Sequence, residues 1–471
     1  MQAQDVLDRV NADQIETIRV VFTDPHGILR GKVITASALA GALQTGIRVP
    51  STLLLKDLSH RTVFPVWQGD GAPMQGAADV VLRPDPASFK TLPYSPHSAL
   101  IHGDVETIEG APVAFASRAI LTRAEAALAD KKLSAVMGLE VEFQIYRVLD
   151  PALAPAQATM PGVPPQVENT TQGYQYLTET RYAEVEEMLD RIRRGAEQMG
   201  MDVRSVEVEM GPSQFEFTFA PGAPSQVAEM AVNFRTLAKE ICARHGLLAS
   251  FMPKPALPNA AANGWHIHQS LLDAEGRNLF TPDGPDGSAG PDGPDGPDGP
   301  DLTKTAANWV AGLLQHATAC ALLSNPTVNS YKRFAPYQLA PNRIGWGADN
   351  RGAMVRAITA PGDRNSRVEN RLPDSAANPY LAFAAQLHSG LAGLSTGAAP
   401  PPAMNDPYDT AAPALPATLG EALDGFAASQ MIRTALSPEV ADWFATLKRA
   451  EWDRYLSHIS DWEQAEYFST M

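Results

Sequence analysis

Cysteine is almost missing: Cys242 and Cys320 are the only two in 471 residues, each inside an apolar stretch with helical spacing. Two such thiols build no disulfide framework and read as buried thiols of a reducing compartment. Positive charge is also scarce, with 37 Lys and Arg against 53 Asp and Glu, a formal charge of −16 and no basic run. That balance offers no grip on a phosphate backbone, which argues against a nucleic-acid partner. No stretch approaches the roughly 18–20 uninterrupted apolar residues of a membrane span. Residues 1–13 are polar and mixed in charge, without the apolar core or cleavage site of a secretory signal. The chain therefore reads as a soluble cytoplasmic protein with no membrane partner. What it does have is 44% hydrophobic residues, enough for the core of one large or two ordinary domains.

Residues 18–22 and 28–34 carry strand signals on either side of Asp24-Pro25-His26-Gly27, which predicts a hairpin. Composition turns Pro-rich and short-segmented over 79–112, and an Ala-rich amphipathic helix follows over 117–133, which predicts a domain boundary near 112. Beyond it, strand-like runs at 134–146, 204–219, 247–252 and 265–271 alternate with helical patterns at 181–199, 226–245 and 301–323. A small β-rich domain thus precedes a large mixed one. Residues 282–301 form a near-regular Pro-Asp-Gly repeat whose one apolar side chain is Ala289, and they read as a solvated insertion loop.

In Gly138-Leu139-Glu140-Val141-Glu142-Phe143 two carboxylates share one face of an apolar strand, which buries like charges unless cations lie between them. Alone, this segment fits a solvent-facing strand edge equally well. A second run, Glu207-Val208-Glu209-Met210-Gly211-Pro212-Ser213-Gln214-Phe215-Glu216, again interleaves acids with apolar residues. A third, Gly264-Trp265-His266-Ile267-His268-Gln269-Ser270, puts two imidazoles on one face. Many oxygen donors with little imidazole suit Mg²⁺ or Mn²⁺ rather than Zn²⁺. Arg333, Arg351, Arg356, Arg364, Arg367 and Arg371 surround a further acid, Glu369, and supply the clamps that phosphoryl transfer needs.

These segments, with Asn325-Pro326-Thr327-Val328-Asn329-Ser330-Tyr331-Lys332-Arg333-Phe334 and Arg371-Leu372-Pro373-Asp374-Ser375, resemble the type I glutamine synthetase family in the same order along nearly the whole chain. The resemblance implies an α+β fold: an N-terminal β-grasp domain (1–112) and a barrel-like catalytic α/β domain (113–471). It implies a homo-oligomer, a dodecamer of two stacked hexamers with active sites between neighbours. Two or three Mg²⁺ or Mn²⁺ ions per site are implied, with ATP as co-substrate. Glu142, Glu209 and Glu216 match one metal site; Glu140, His266 and Glu369 match the site that bridges the nucleotide phosphates. Arg333, Arg351, Arg371 and Ala262 match glutamate-side positions, with Arg351, Arg371 and Glu369 at the chemistry. His268, Ser270, Arg356, Arg364 and Arg367 match nucleotide-side positions. The implied reaction phosphorylates the glutamate γ-carboxylate and lets an amine attack the acyl phosphate.

Two departures bear on the amine. Glutamine synthetases carry a flap Glu six residues after the arginine at Arg333, where this chain has Leu339. They also carry an N-terminal Asp-Gly-Ser-Ser segment for ammonium; the corresponding stretch, 62–71, offers Val63, Phe64, Pro65, Val66 and Trp67, with Asp70 its one acid. An apolar amine gains on the order of 25 cal/mol per Å² buried in such a pocket, whereas a desolvated ammonium without a counter-charge loses several kcal/mol. The expectation is a γ-glutamylamide synthetase acting on an aryl- or alkylamine, its pocket drawn from Leu339, Phe64, Trp67, Trp265 and Trp346. A glutamine synthetase using ammonia, a γ-glutamylpolyamine synthetase and a non-catalytic structural homologue are the alternatives. Ala261-Ala262-Asn263-Gly264, where the family commonly reads Asn-Gly-Ser-Gly, leaves the acid partner open as well.

Overall fold

The computed structural model describes residues 1–67, 74–282, 302–335 and 339–471; the insertion read at 282–301 and the acid Asp70 thus lie, Pro282 apart, outside the described residues. The first sheet contains β1 (Thr17–Thr23), β2 (Leu29–Thr35), β3 (Ile47–Pro50), β4 (Asp79–Pro84), β5 (Lys90–Thr91) and β6 (Ser98–Glu106). Its order is β2-β1-β6-β4-β3, with β5 also on β6 and β1 parallel to β6. The expected hairpin is β1–β2. Asp24 Oδ1 closes its turn by accepting from the backbone N–H groups of His26 and Ile28, and Gly27 takes the left-handed φ of 75° that the turn requires. The Pro-rich, short-segmented stretch 79–112 supplies β4 to β6. Its prolines at 84, 86, 93 and 96 stand at or between strand ends, where no ladder N–H is lost.

The second sheet contains β7 (Ser134–Val148), β8 (Val167–Asn169), β9 (Val203–Val208), β10 (Gln214–Phe219), β11 (Leu247–Ser250), β12 (Trp265–Leu272), β13 (Trp346–Ala348), β14 (Val355–Ile358) and β15 (Arg367–Asn370). The order is β13-β14-β15-β12-β7-β10-β9, with β8 and β11 also on β7. Residues 204–219, which read as one kinked strand run, fold as the antiparallel pair β9–β10. Alternation sends Leu139, Val141, Phe143 and Ile145 to one face of β7, all buried. There Phe143 stacks on Phe251 at 4.7 Å and packs near Phe217 and Phe234. Helices Ser117–Ala129, Pro224–Arg244 and Pro379–Thr396 cover this side, each burying a broad apolar stripe. The helical pattern at 301–323 resolves into Lys304–Gln315 and Ala317–Ser324, divided at His316, whose φ of −103° and ψ of 9° leave the helical region. Cys242 and Cys320 are buried free thiols, as their surroundings predict. No described helix is long and apolar enough to cross a membrane.

Candidate active site

The opposite face of the second sheet carries the polar residues, and strand register sets them in three rows. Arg356, Glu369, His268 and Gly138 stand side by side on β14, β15, β12 and β7. His266, Glu140, Thr218 and Ser205 follow on β12, β7, β10 and β9; Glu142, Glu216 and Glu207 form the third row on β7, β10 and β9. A period of two along each strand is what brings them to one surface.

Glu140 is held at both oxygens, Oε2 lying 2.8 Å from His266 Nδ1 and Oε1 2.9 Å from His268 Nε2. Burial pushes its carboxyl up, yet these two hydrogen bonds prevail and hold it well below the usual carboxylate range. Glu369 is fully buried between two arginines: Arg371 Nη1 donates to Oε1 at 2.5 Å and Arg356 Nη1 to Oε2 at 3.1 Å. Its carboxyl is lowered too, by His266 and Arg371 acting against burial. The third row behaves oppositely. Burial and repulsion from Glu209 raise Glu142 to about 8, while burial and the charges of Glu140, Glu142 and Glu209 raise Glu216 to about 11. Glu216 is 6% exposed and its carboxylate makes no hydrogen bond or ion pair among the described residues.

Three donor sets lie with all their ligand atoms within 4.8 Å of one another: Glu140, His266 and Glu369; Glu142, Glu216 and His266; Glu207, Glu209 and Glu216. Carboxylates with one shared imidazole are the donors of a hard divalent cation, and an unpartnered buried Glu216 is the group such a cation neutralises. Gly264 keeps the space between them open: a Cβ there would lie 3.0 Å from His266 Nε2, 3.3 Å from Arg333 Nη2 and 3.5 Å from Glu142 Oε1. Beneath, Gln144, Gln214 and Asn263 form a buried amide network in which Gln214 Nε2 donates to the Ala262 carbonyl at 2.7 Å. It fixes the loop carrying Ala262 against Glu142, whose Oε2 accepts from the Gly264 N–H at 2.7 Å.

Arg333 is 3% exposed, donates to the Leu372 carbonyl and lies 3.9 Å from Asp374. The Nε atoms of Arg333 and Arg371 are buried donors without a partner among the described residues, a state that an anionic ligand relieves. Arg351 is exposed at the rim. His268, Ser270, Arg364 and Arg367 line one cavity of about 400 Å³ together with Glu140, Thr218 and Phe219. Arg356 stands outside that lining, between Glu369 and the exposed Asp349, which also accepts from it.

The aromatic residues expected at the amine divide. Trp67 is 77% exposed, Phe64 is half-buried against the hydrophobic core, and Leu339 is 53% exposed with a left-handed φ of 55°. Trp265 and Trp346 are corrected. Trp265 is fully buried, because alternation along β12 turns it away from His266 to the helical side, where it covers the Arg235 guanidinium at 5.0 Å. Trp346 is buried with its Nε1 donating to the Pro401 carbonyl at 2.6 Å. Both are core residues. Three participants carried no assignment from sequence: Glu207, Asp349 and Tyr176. Parity along 205–207–209 was the available signal for Glu207. Tyr176 is brought beside the carboxylates by the bonds of Tyr174 N–H to the Met210 carbonyl and Leu177 N–H to the Val208 carbonyl. Burial and the charges of Glu209, Glu207 and Glu216 push its phenol up to about 12.

Residues 114–467 match the family model described as glutamine synthetase, catalytic domain. The chain is 34% identical to a gamma-glutamylanilide synthase from Acinetobacter sp, covering 100% of this chain and 96% of that protein. It is 31% identical to a glutamine synthetase from Methanosarcina mazei, covering 99% and 98%. A solved structure of apo GmaS without ligand superposes with a TM-score of 0.81 at 30% identity, covering 99% of this chain and 100% of that one.

Proposed function

The chain belongs to the glutamine synthetase family, and from that premise we propose that it joins the γ-carboxylate of glutamate to an apolar aryl- or alkylamine through a γ-glutamyl phosphate. ATP-dependent ligation of glutamate to an amine or ammonia, with divalent metal, is the coarser statement that membership carries. The observation that carries the finer one is Leu339, which stands where ammonia-using members place the flap Glu. Leucine accepts no proton. An arylamine reaches the site already neutral and needs no such base before attack. The likeness to a gamma-glutamylanilide synthase supports the same choice.

In this reading Glu140, His266 and Glu369 would hold one cation of the Mg²⁺ or Mn²⁺ class, and Glu142, Glu209 and Glu216 another, Glu142 and Glu209 standing in separate donor sets that share Glu216. When bound, such cations supply neutralisation of the phosphate charge. Arg333, through its unpartnered Nε, binds the glutamate carboxylate, with Ala262 and Arg351 at the same side. Arg371 is pinned to Glu369 by one nitrogen and presents its free Nε to the phosphoryl group in flight. His268, Ser270, Arg364 and Arg367 take the nucleotide in the cavity they line, Arg356 beside them on Glu369. Assembly into paired rings of six would bring the exposed Trp67 of one subunit to the site of the next.

Glu207 favours a second reading within the class: an alkylamine that arrives protonated and meets this extra carboxylate beside Glu209 and Glu216. Isotope transfer tests the shared mechanism. With glutamate labelled by ¹⁸O in the γ-carboxylate, ATP and aniline or isopropylamine, one label per turnover is expected in inorganic phosphate alongside the γ-glutamylamide. Unlabelled phosphate would exclude the acyl phosphate.

A further inference from the structure

His268 does more than border the nucleotide cavity. Arg367 Nε lies 3.1 Å from its Nδ1, while its Nε2 lies 2.9 Å from Glu140 Oε1. A guanidinium only donates, so Nδ1 is the bare nitrogen that accepts. The ring proton is then on Nε2 and is given to Glu140. Three side chains form one directed chain from arginine to imidazole to carboxylate.

The backbone is built around this chain. Gly138 faces His268 in register, and a Cβ there would come within 3.3 Å of the His268 Cβ, so the imidazole sits where β7 carries no side chain. The His268 side chain is 12% exposed, which limits the water that competes for its two bonds. At the far end, the second oxygen of Glu140 is held by His266. A carboxylate on a flexible stem is thereby fixed at both oxygens, and one of the two holders is itself fixed from behind.

We propose that His268 is a positioning residue for the Glu140 carboxylate, and that Arg367, acting through His268, sets the cation-facing geometry of Glu140 before any nucleotide arrives. The inference rests on the reading of Glu140 as a cation ligand. Groups that orient a metal ligand in this way typically alter metal affinity about 10- to 100-fold when removed. Arg367 and His268 also line the nucleotide cavity. A phosphate that draws Arg367 away would loosen the chain, so cation and nucleotide affinities are linked through it, each altering the other by the same factor.

Mn²⁺ titration of the full-length protein without nucleotide, with the free ion read by electron paramagnetic resonance, tests this. His268→Leu is expected to weaken one class of Mn²⁺ sites about 10- to 100-fold. His268→Gln is expected to stay close to the wild-type affinity, because its amide accepts from Arg367 and donates to Glu140. Arg367→Met is expected to weaken the same sites by less than His268→Leu does. Glu140→Ala combined with His268→Leu should bind no more weakly than Glu140→Ala alone. If His268→Leu does not fold, Arg367→Met and His268→Gln carry the test. Wild-type Mn²⁺ affinity in Arg367→Met, or in His268→Leu, would overturn the positioning role, as would full additivity with Glu140→Ala or a His268→Gln as impaired as His268→Leu. If Glu140→Ala itself binds Mn²⁺ like the wild type, the cation reading falls and this inference with it; if Glu140→Ala weakens binding and His268→Leu does not, only this inference falls.

Discussion

The proposed cation face and the proposed amine side of this molecule are built by different means. On the cation face the acids and imidazoles stand on strands, Glu209 one residue past the end of β9, and the register of β15, β12, β7, β10 and β9 decides which side chains meet. On the amine side the candidate groups stand on loops: Leu339 and Trp67 are exposed and border residues 336–338 and 68–73, which lie outside the described residues. Strand registers are strongly specified because a slip of one residue turns a whole apolar face to water. Loops carry no such constraint, and they are where specificity diverges among proteins sharing one reaction. In the proposed reading the sheet carries the chemistry, and what hangs at its edge carries the choice of amine.

Breaking the sheet side should have the largest effect. Glu140→Ala or Glu369→Ala is expected to reduce glutamate-dependent ATP turnover to background while the protein still assembles, as checked by phosphate release and size-exclusion chromatography. Wild-type turnover in both would remove the cation assignment. Next comes Arg371→Ala, with a loss of roughly 100-fold or more in kcat and a smaller loss in nucleotide affinity, since a preorganised donor acts mainly on charge formed in the transition state. Equal losses in rate and nucleotide binding would assign Arg371 a ground-state role.

A pH series separates the two regions by a different route. Glu142, raised from 4.5 to about 8, and Glu216, raised to about 11, hold protons near neutrality in the metal-free protein. These two carboxyls bind more protons in the folded state than in the unfolded one; the buried His26, His102, His266 and His388, lowered by burial, act in the opposite sense below about 6.5, so metal-free stability falls as pH rises from about 7 towards 8. A cation must displace those protons, and Mn²⁺ affinity is expected to rise across the same window. Thermal melts with and without Mn²⁺ check both signs; a metal-free Tm that climbs with pH over that window would contradict them.

The smallest effects belong to the edge. Leu339→Glu should raise residual ammonium activity and depress that with an apolar amine. Trp346→Phe, which forfeits the bond to the Pro401 carbonyl, should cost about 1 kcal/mol of stability and leave amine preference unchanged. A changed preference in Trp346→Phe would return that residue to the amine pocket.

Strand parity explains what could be read beforehand. It placed Glu140 with Glu142 and His266 with His268, because the residue between each pair is apolar and has one side to go to, whereas Glu209 and Glu216, seven residues apart across a Gly-Pro turn, were joined only by the family resemblance. The same rule, applied along 264–270, sets Trp265 opposite His266 and so already argued against it as a pocket wall. Applied along 205–209, it pointed to Glu207. Other features had no local signal. The guanidinium behind His268 and the approach of Tyr176 each join segments distant in the chain, held by backbone bonds or register that composition does not encode, and the Asp349 carboxylate reaches Arg356 across a seven-residue turn without a periodic pattern. Trp346 faced inward because of a carbonyl 55 residues away.

The choice of acceptor is tested directly by kcat/KM for aniline, isopropylamine, ammonium and spermidine, each with glutamate and ATP on the full-length protein. Aniline or isopropylamine is expected to give the highest value; ammonium or spermidine preferred over both would contradict the account.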